Sequence, residues 1–247
     1  MDPLTSAAAS GIRSRIESLD MLANNMANAS TPGFKADREF YTLYQSAEAA
    51  DSPAGTTPPV LPVIQRQWTD FAQGSVTPTG NALDVALNGK GFLVAQSPGG
   101  TVYTRSGSLR ISPRGVLETM DGYAVEGQNG TTIPLDSSKA VDISRDGTVR
   151  QDGQDVSQLA VVELADPQSL SKRGSNYFWI DSSATQPAPA AQTEVLQGQL
   201  EGANSQPAES AVRLVNIMRQ FETLQKAMAI GAEMNKRAIE EVAKVTS

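Results

Sequence analysis

The chain has 247 residues, 39% of them hydrophobic, enough for one large domain or two ordinary ones with cores of their own. Its formal charge is -7, from 20 Lys and Arg scattered among 27 Asp and Glu, which argues against a surface that binds nucleic acid or anionic lipid. There is no cysteine and no histidine, so disulfides, thiol chemistry, the usual zinc ligands and the usual general base near neutral pH are excluded.

The chain opens with MDPLTSAAASGIRSRIESLD, which has no basic region followed by an apolar core. No stretch approaches the roughly 18 apolar residues of a membrane span. Neither membrane insertion nor a cleaved leader is expected. Residues 11–35, GIRSRIESLDMLANNMANASTPGFK, then carry a helical pattern. Ile12, Ile16, Leu19, Ala23 and Met26 recur in the rhythm of a coiled-coil seam, with Arg13, Arg15, Glu17 and Asp20 turned away. A helix of about 17 residues is marginal in water, so the stripe wants a helical partner. Thr31-Pro32-Gly33 stops it. Asn24, Asn25 and Asn28 are unusual near a helix end; they either cap it or bond to a neighbouring helix in an assembly.

Residues 36–74 read as a connector with extended pieces, in which Phe40, Tyr41 and Tyr44 crowd together. Short strands and tight turns follow. FLVAQ-SPGG-TVYTR, SLRI-SPRG-VLETM and VDIS-RDG-TVRQ predict three hairpins. Asn88-Gly89, Asp121-Gly122, Asn129-Gly130, Asp146-Gly147 and Asp152-Gly153 supply turn residues that tolerate positive φ. The apolar runs LAVVEL and YFWI are expected mid-sheet, buried on both faces. DSSATQPAPAAQ, residues 181–192, reads as a linker with nothing to bury. A second helical seam, Leu214, Ile217, Phe221, Leu224 and Met228, then marks a helix over about residues 208–245.

The expected fold class is α+β: terminal helices (1–35 and 200–247) pairing as a coiled-coil-like α domain, with an inserted all-β domain of short hairpins over 75–192. The connectors are 36–74 and 193–199. Catalytic chemistry finds little support. Asp121, Asp146 and Asp152 sit beside turn glycines, Glu17 and Glu233 lie on outward helix faces, and Gly89, Gly91, Gly99 and Gly100 lack the helix that follows a phosphate loop. No cofactor, metal or small-molecule substrate is expected. A secreted cell-wall glycan hydrolase is the alternative from another class; it requires two carboxylates facing across a cleft.

Three ordered motifs resemble the bacterial flagellar basal-body rod proteins. They are LDMLANNMANASTPGFK (19–35), TGNALDVALNGKGFLVAQ with YTRSGSLRISPRGVLETMDGYAVEG (79–96 and 103–127), and QGQLEGANSQPAESAVRLVNIMRQFETLQKAM (197–228). The chain departs from many relatives at Ala203-Asn204-Ser205 and Asn81-Ala82-Leu83-Asp84. Its Ser30-Thr31-Pro32-Gly33-Phe34 form and length favour the proximal over the distal rod proteins. The resemblance implies a structural subunit of the periplasmic rod whose terminal helices form an inner layer with the β domain outside. Its partners would be itself and other rod proteins, with the three asparagines and both apolar seams as the subunit interface. It also implies uncleaved export through the flagellar type III apparatus, whose gate reads an aromatic followed four residues later by a hydrophobic residue, a spacing that Phe40 and Tyr44 match.

Overall fold

The computed structural model describes residues 3–45, 60–174, 176–180 and 186–245. They form two compact units. One gathers residues 1–26, 37–68 and 206–247; the other gathers 27–36 and 69–205. The fold is mixed α+β. The stretch 27–36, which the sequence reading assigned almost wholly to the helical ends, groups with the β unit.

In the first unit, helix α1 runs from Pro3 to Ala27, longer than the seam alone indicated. Helix α2 covers Pro207–Val245, with Pro207 at its first turn and Glu209 near its positive end. Strands Asp37–Gln45 and Val60–Thr69 pair as a two-stranded sheet where a connector was expected.

The second unit is built from antiparallel strands. All three expected hairpins form: Phe92–Ser97 with Gly100–Thr104, Leu109–Ile111 with Leu117–Thr119, and Val141–Ile143 with Thr148–Gln151. The glycines of the five expected turns all adopt positive φ. A nine-stranded sheet carries the first two hairpins, and a three-stranded sheet carries the third. Val85–Asn88 pairs with Glu194–Gln197, and Val76–Pro78 pairs with Gln199–Glu201, so the start and end of the unit close on each other.

Two apolar cores fill it. Val85, Leu87, Leu93, Leu117, Val125, Ile133, Val149, Leu159 and Val195 form the larger. Phe92, Val94, Tyr103, Leu164, Leu170 and Phe178 form the smaller, against which Phe71 packs edge-on to Phe92 and Phe178. The two continuous apolar runs are paired on both edges, but their burial is only partial. Val161–Glu163 lies between Phe92–Ser97 and Ala188–Pro189 with all three residues half-buried. In Tyr177–Ile180 only Phe178 is fully buried, and Arg173 stacks over Trp179 at 4.0 Å. On the Tyr177–Ile180 run, the Arg173 side chain thus supplies solvent-side cover for Trp179. The expected linker contributes an edge strand, Ala188–Pro189.

The Asp146-Gly147 turn has a charge signature of its own. Ser144 and Thr148 hydroxyls donate to Asp146 at 2.5 and 2.8 Å, and these bonds hold its carboxyl down at about 2 against an ordinary 3.8. A depressed carboxyl stabilises the folded state above the unfolded value, and that contribution is lost as pH falls through the folded one. Asp146→Asn should therefore flatten the decline in melting temperature between pH 3.8 and 2 without changing the profile above it; a parallel profile would show the turn to be electrostatically silent.

Candidate assembly faces and a buried charge clamp

Helix α1 turns an unexpected face inward. Gly11, Ser14, Ser18, Met21, Leu22 and Asn25 are buried, a stripe at helical spacing composed largely of small and polar residues. Gly11 earns its place by closeness: a Cβ there would stand 3.3 Å from Leu224 Cδ1 of α2. Ser18 donates to the Glu39 carboxylate at 2.7 Å. Asn25 uses both ends of its amide on one residue, donating to the Asp37 carbonyl at 2.8 Å and accepting the Asp37 N–H at 3.0 Å. It fastens the strand Asp37–Gln45 to the helix, an arrangement that neither capping nor a neighbouring helix describes.

The apolar seam of α1 lies about a third of a turn away from that stripe, at 100° per residue. Ile16 is 47% and Met26 36% exposed; Ala23 is exposed, and Ile12 and Leu19 are half-buried. Asn24 is exposed, and Asn28 accepts a bond from the Thr31 hydroxyl at 3.3 Å. Helix α2 behaves differently. Its seam faces inward, with Ile217 buried and Leu214, Phe221, Leu224 and Met228 half-buried. Val212, Val215, Ile230 and Met234 stand exposed on the opposite side. The backbone of Phe40 and Tyr44 runs in the strand Asp37–Gln45, and their side chains lie outside the described residues.

A site the sequence reading missed occupies the β unit. Lys35, at the end of the first motif, is fully buried with its ammonium 2.5 Å from Glu201 Oε1 and 2.8 Å from the Ala72 carbonyl. Glu201, from the third motif, also receives the Gly74 N–H at 2.9 Å, and its other oxygen is 3.4 Å from Arg105 Nη1. Arg105, from the second motif, donates to the Gly89 carbonyl at 2.6 Å. Burial pushes both the Lys35 ammonium and the Arg105 guanidinium below their usual values, and Glu201 pulls each part of the way back. Around the triad, Asn204 accepts the Ala36 N–H at 2.7 Å and donates to the Asp70 carbonyl at 2.6 Å. Lys172 donates to the Lys35 carbonyl at 2.8 Å while lying over the buried Phe34 ring. Gly33, with φ of 70°, rests on the Arg105-Ser106 backbone, where a Cβ would come within 2.3 Å of the Arg105 carbonyl carbon.

Beside this clamp lies a cleft of about 690 Å³, lined among others by Phe71, Phe92, Leu164, Lys90, Arg105 and Glu163. Among the described residues Glu163 is the one carboxylate in its lining, whereas glycan cleavage needs two. Among the described residues no cluster of metal-ligating side chains is present.

The three motifs joined by this clamp coincide with three family models. Residues 7–35 match the flagella basal body rod protein model, 86–151 the flagellar hook protein FlgE/F/G D1 domain, and 196–241 the flagellar basal body rod FlgEFG protein C-terminal model. The flagellar basal-body rod protein FlgF of Caulobacter vibrioides is 33% identical over 228 residues, covering 92% of both chains. The chain belongs to the flagellar basal-body rod protein family. FlgG of the same organism is 29% identical over 249 residues, covering 92% of this chain and 94% of its own. The flagellar hook-basal body complex protein FlhP of Bacillus subtilis is 30% identical over 246 residues, covering 88% and 91%. The names of these relatives are those of rod and basal-body proteins rather than enzymes. Within this rod-family fold, the signature Thr31–Lys35 and the return strand Gln199–Glu201 are halves of one buried structure.

The clamp sets an order of stabilities. Glu201→Ala leaves two buried cations without their counter-ion and should cost about 3–5 kcal/mol. Lys35→Met keeps the Glu201–Arg105 pair and replaces the ammonium by an apolar group of similar reach, so its cost should be smaller. Urea unfolding of the purified chain should rank wild type, then Lys35→Met, then Glu201→Ala; the reverse ranking would place the structural weight on the lysine.

Proposed function

We propose that this rod-family protein is a structural subunit of the flagellar basal-body rod, of the FlgF kind more than the FlgG kind, and polymerises into the helical shaft that carries torque from motor to hook. The observation that supports it most is the partly inverted amphipathicity of α1, whose buried stripe joins Gly11, Ser14, Ser18 and Asn25 to Met21 and Leu22, while Ile16, Ala23 and Met26 stand exposed beside the half-buried Ile12 and Leu19. A helix that leaves part of its apolar side exposed in the monomer is suited to burying it against a neighbour. In this reading the terminal helices, 1–35 and 200–247, pair in coiled-coil fashion and make the axial core, with Asn24 and Asn28 beside the contact. The approach of Leu224 to Gly11 favours such pairing. Open-ended, heterologous contacts would extend the polymer. The subunit would join itself and other rod proteins in the periplasm, after uncleaved passage through the type III export gate with Phe40 and Tyr44 as the recognised pair.

Ile16→Glu separates assembly from folding. At a position already 47% exposed, the change should move the purified protein's stability by no more than about 0.5 kcal/mol. Cells carrying it should export the subunit yet lack a complete rod and fail to swim. Normal swimming would remove the α1 seam from the interface. Export has its own test: Phe40→Ala and Tyr44→Ala should each lower secretion of the chain, and unimpaired secretion of both would end the gate assignment.

A further inference from the structure

The β unit carries a matched projection and recess. The projection is the turn that joins Leu117–Thr119 to Ala124–Val125. Thr119 and Gly122 close it by a backbone bond of 2.9 Å, Thr119 N–H donates to the Tyr123 carbonyl at 2.9 Å, and the Tyr177 hydroxyl reaches both the Thr119 hydroxyl at 2.9 Å and the Asp121 carboxylate at 2.6 Å. Tyr123 stacks edge-on with Tyr177. A turn fixed this firmly nevertheless holds Met120 57% exposed. Among the described residues it is the one large hydrophobic side chain so exposed in this unit.

The recess is the cleft beside the clamp. At about 690 Å³ it exceeds the needs of a single side chain and admits the tip of a turn. Phe71 and Phe92, locked edge-on at 5.6 Å, give it an aromatic wall, and thioether sulfur packs well against ring edges. Among the described residues its charged groups are Lys90, Arg105 and Glu163, a net positive set. Behind them, Glu201 is shared by two cations and so leaves Arg105 incompletely neutralised; the Arg105 Nε–H has no protein partner although it is buried. The projection presents an apolar side chain beside a carboxylate, and the recess presents rings beside excess positive charge. The turn is held by its own hydrogen bonds before contact, which lowers the entropy cost of joining the two.

We propose that the cleft of one copy receives the Met120-Asp121 turn of another, with Met120 against Phe71 and Phe92, and Asp121 facing Lys90 and Arg105. The contact rests on the subunit reading above and adds to it a second, heterologous interface made by the β unit. The absence of cysteine permits a direct test with the full chain. Arg110→Cys, beside the turn, and Ala165→Cys, on the exposed rim of the cleft, are placed in separate copies distinguished by size tags and joined with a short bis-maleimide in concentrated protein and in isolated basal bodies. The mixed product should exceed by several-fold that of a control pair, Ser138→Cys with Ala165→Cys. Met120→Glu or Lys90→Glu should reduce it about tenfold, the loss expected of a central interface residue. Adding Asp121→Lys to the turn-bearing copy should restore the product lost to Lys90→Glu. Yields equal to the control, or unaffected by Met120→Glu, would overturn the contact. If this happens while the chain is still recovered in intact rods, the subunit reading stands and the interface alone is wrong; absence of the wild-type chain from the rods would instead reject that reading.

Discussion

The β unit depends on a buried carboxylate shared by two cations. Glu201 draws Lys35, Arg105 and the Gly74 N–H to a single point, and with Glu201 itself these groups come from four separate parts of the sequence. Ion pairs of this kind add little net stability over an apolar filling, since desolvation offsets most of their attraction. Mispairing is another matter. Any register that leaves one of these charges buried alone costs several kcal/mol, so the triad discriminates strongly between the right closure and a slipped one. Strands as short as Val76–Pro78 and Gln199–Glu201 offer few side chains to fix their register otherwise.

The legibility of the chain follows the range of the forces involved. Hairpins were readable because their turns are chosen by adjacent residues: Asp146-Gly147 and Asp121-Gly122 bend where they stand, and the flanking alternation does the rest. The extent of α2 was readable from its periodic apolar side, whereas α1 begins at Pro3, ahead of the seam that marked it. The charge clamp was not readable, since Lys35, Arg105 and Glu201 each look like an ordinary solvated residue until the fold brings them together. A signal was present in Gly33-Phe34-Lys35, where a glycine, a large ring and a cation stand together outside any periodic element, but it could not name the partners. The pairing of Asp37–Gln45 with Val60–Thr69 and the strand at Ala188–Pro189 were hidden likewise, because a proline-rich stretch shows no alternation to read.

The seam of α1 illustrates a different limit. Hydrophobic periodicity identifies the apolar side of a helix, and the usual inference is that this side faces the core of its own chain. Here Ser14, Ser18 and Asn25 share the inward position with Met21 and Leu22, since small side chains and a two-ended amide allow close backbone approach and satisfy the start of the neighbouring strand. On α2 the periodic apolar side does face inward. Periodicity tells where apolar surface lies; whether the molecule or its neighbour covers it is decided by what else the helix offers.

That inversion has a consequence for the growth of a polymer. Burying a Leu, Ile or Met side chain releases about 1.5–3 kcal/mol, and in the proposed assembly the exposed parts of Ile16 and Met26 would gain their share of it only when a neighbour arrives. A free energy withheld from the monomer and released only at a growing end makes the end a far better place for a subunit than an encounter with one other molecule, where only part of the face is covered. Growth of this type has a sharp critical concentration: dilute chains remain separate, and above the threshold nearly every added chain joins an existing tip.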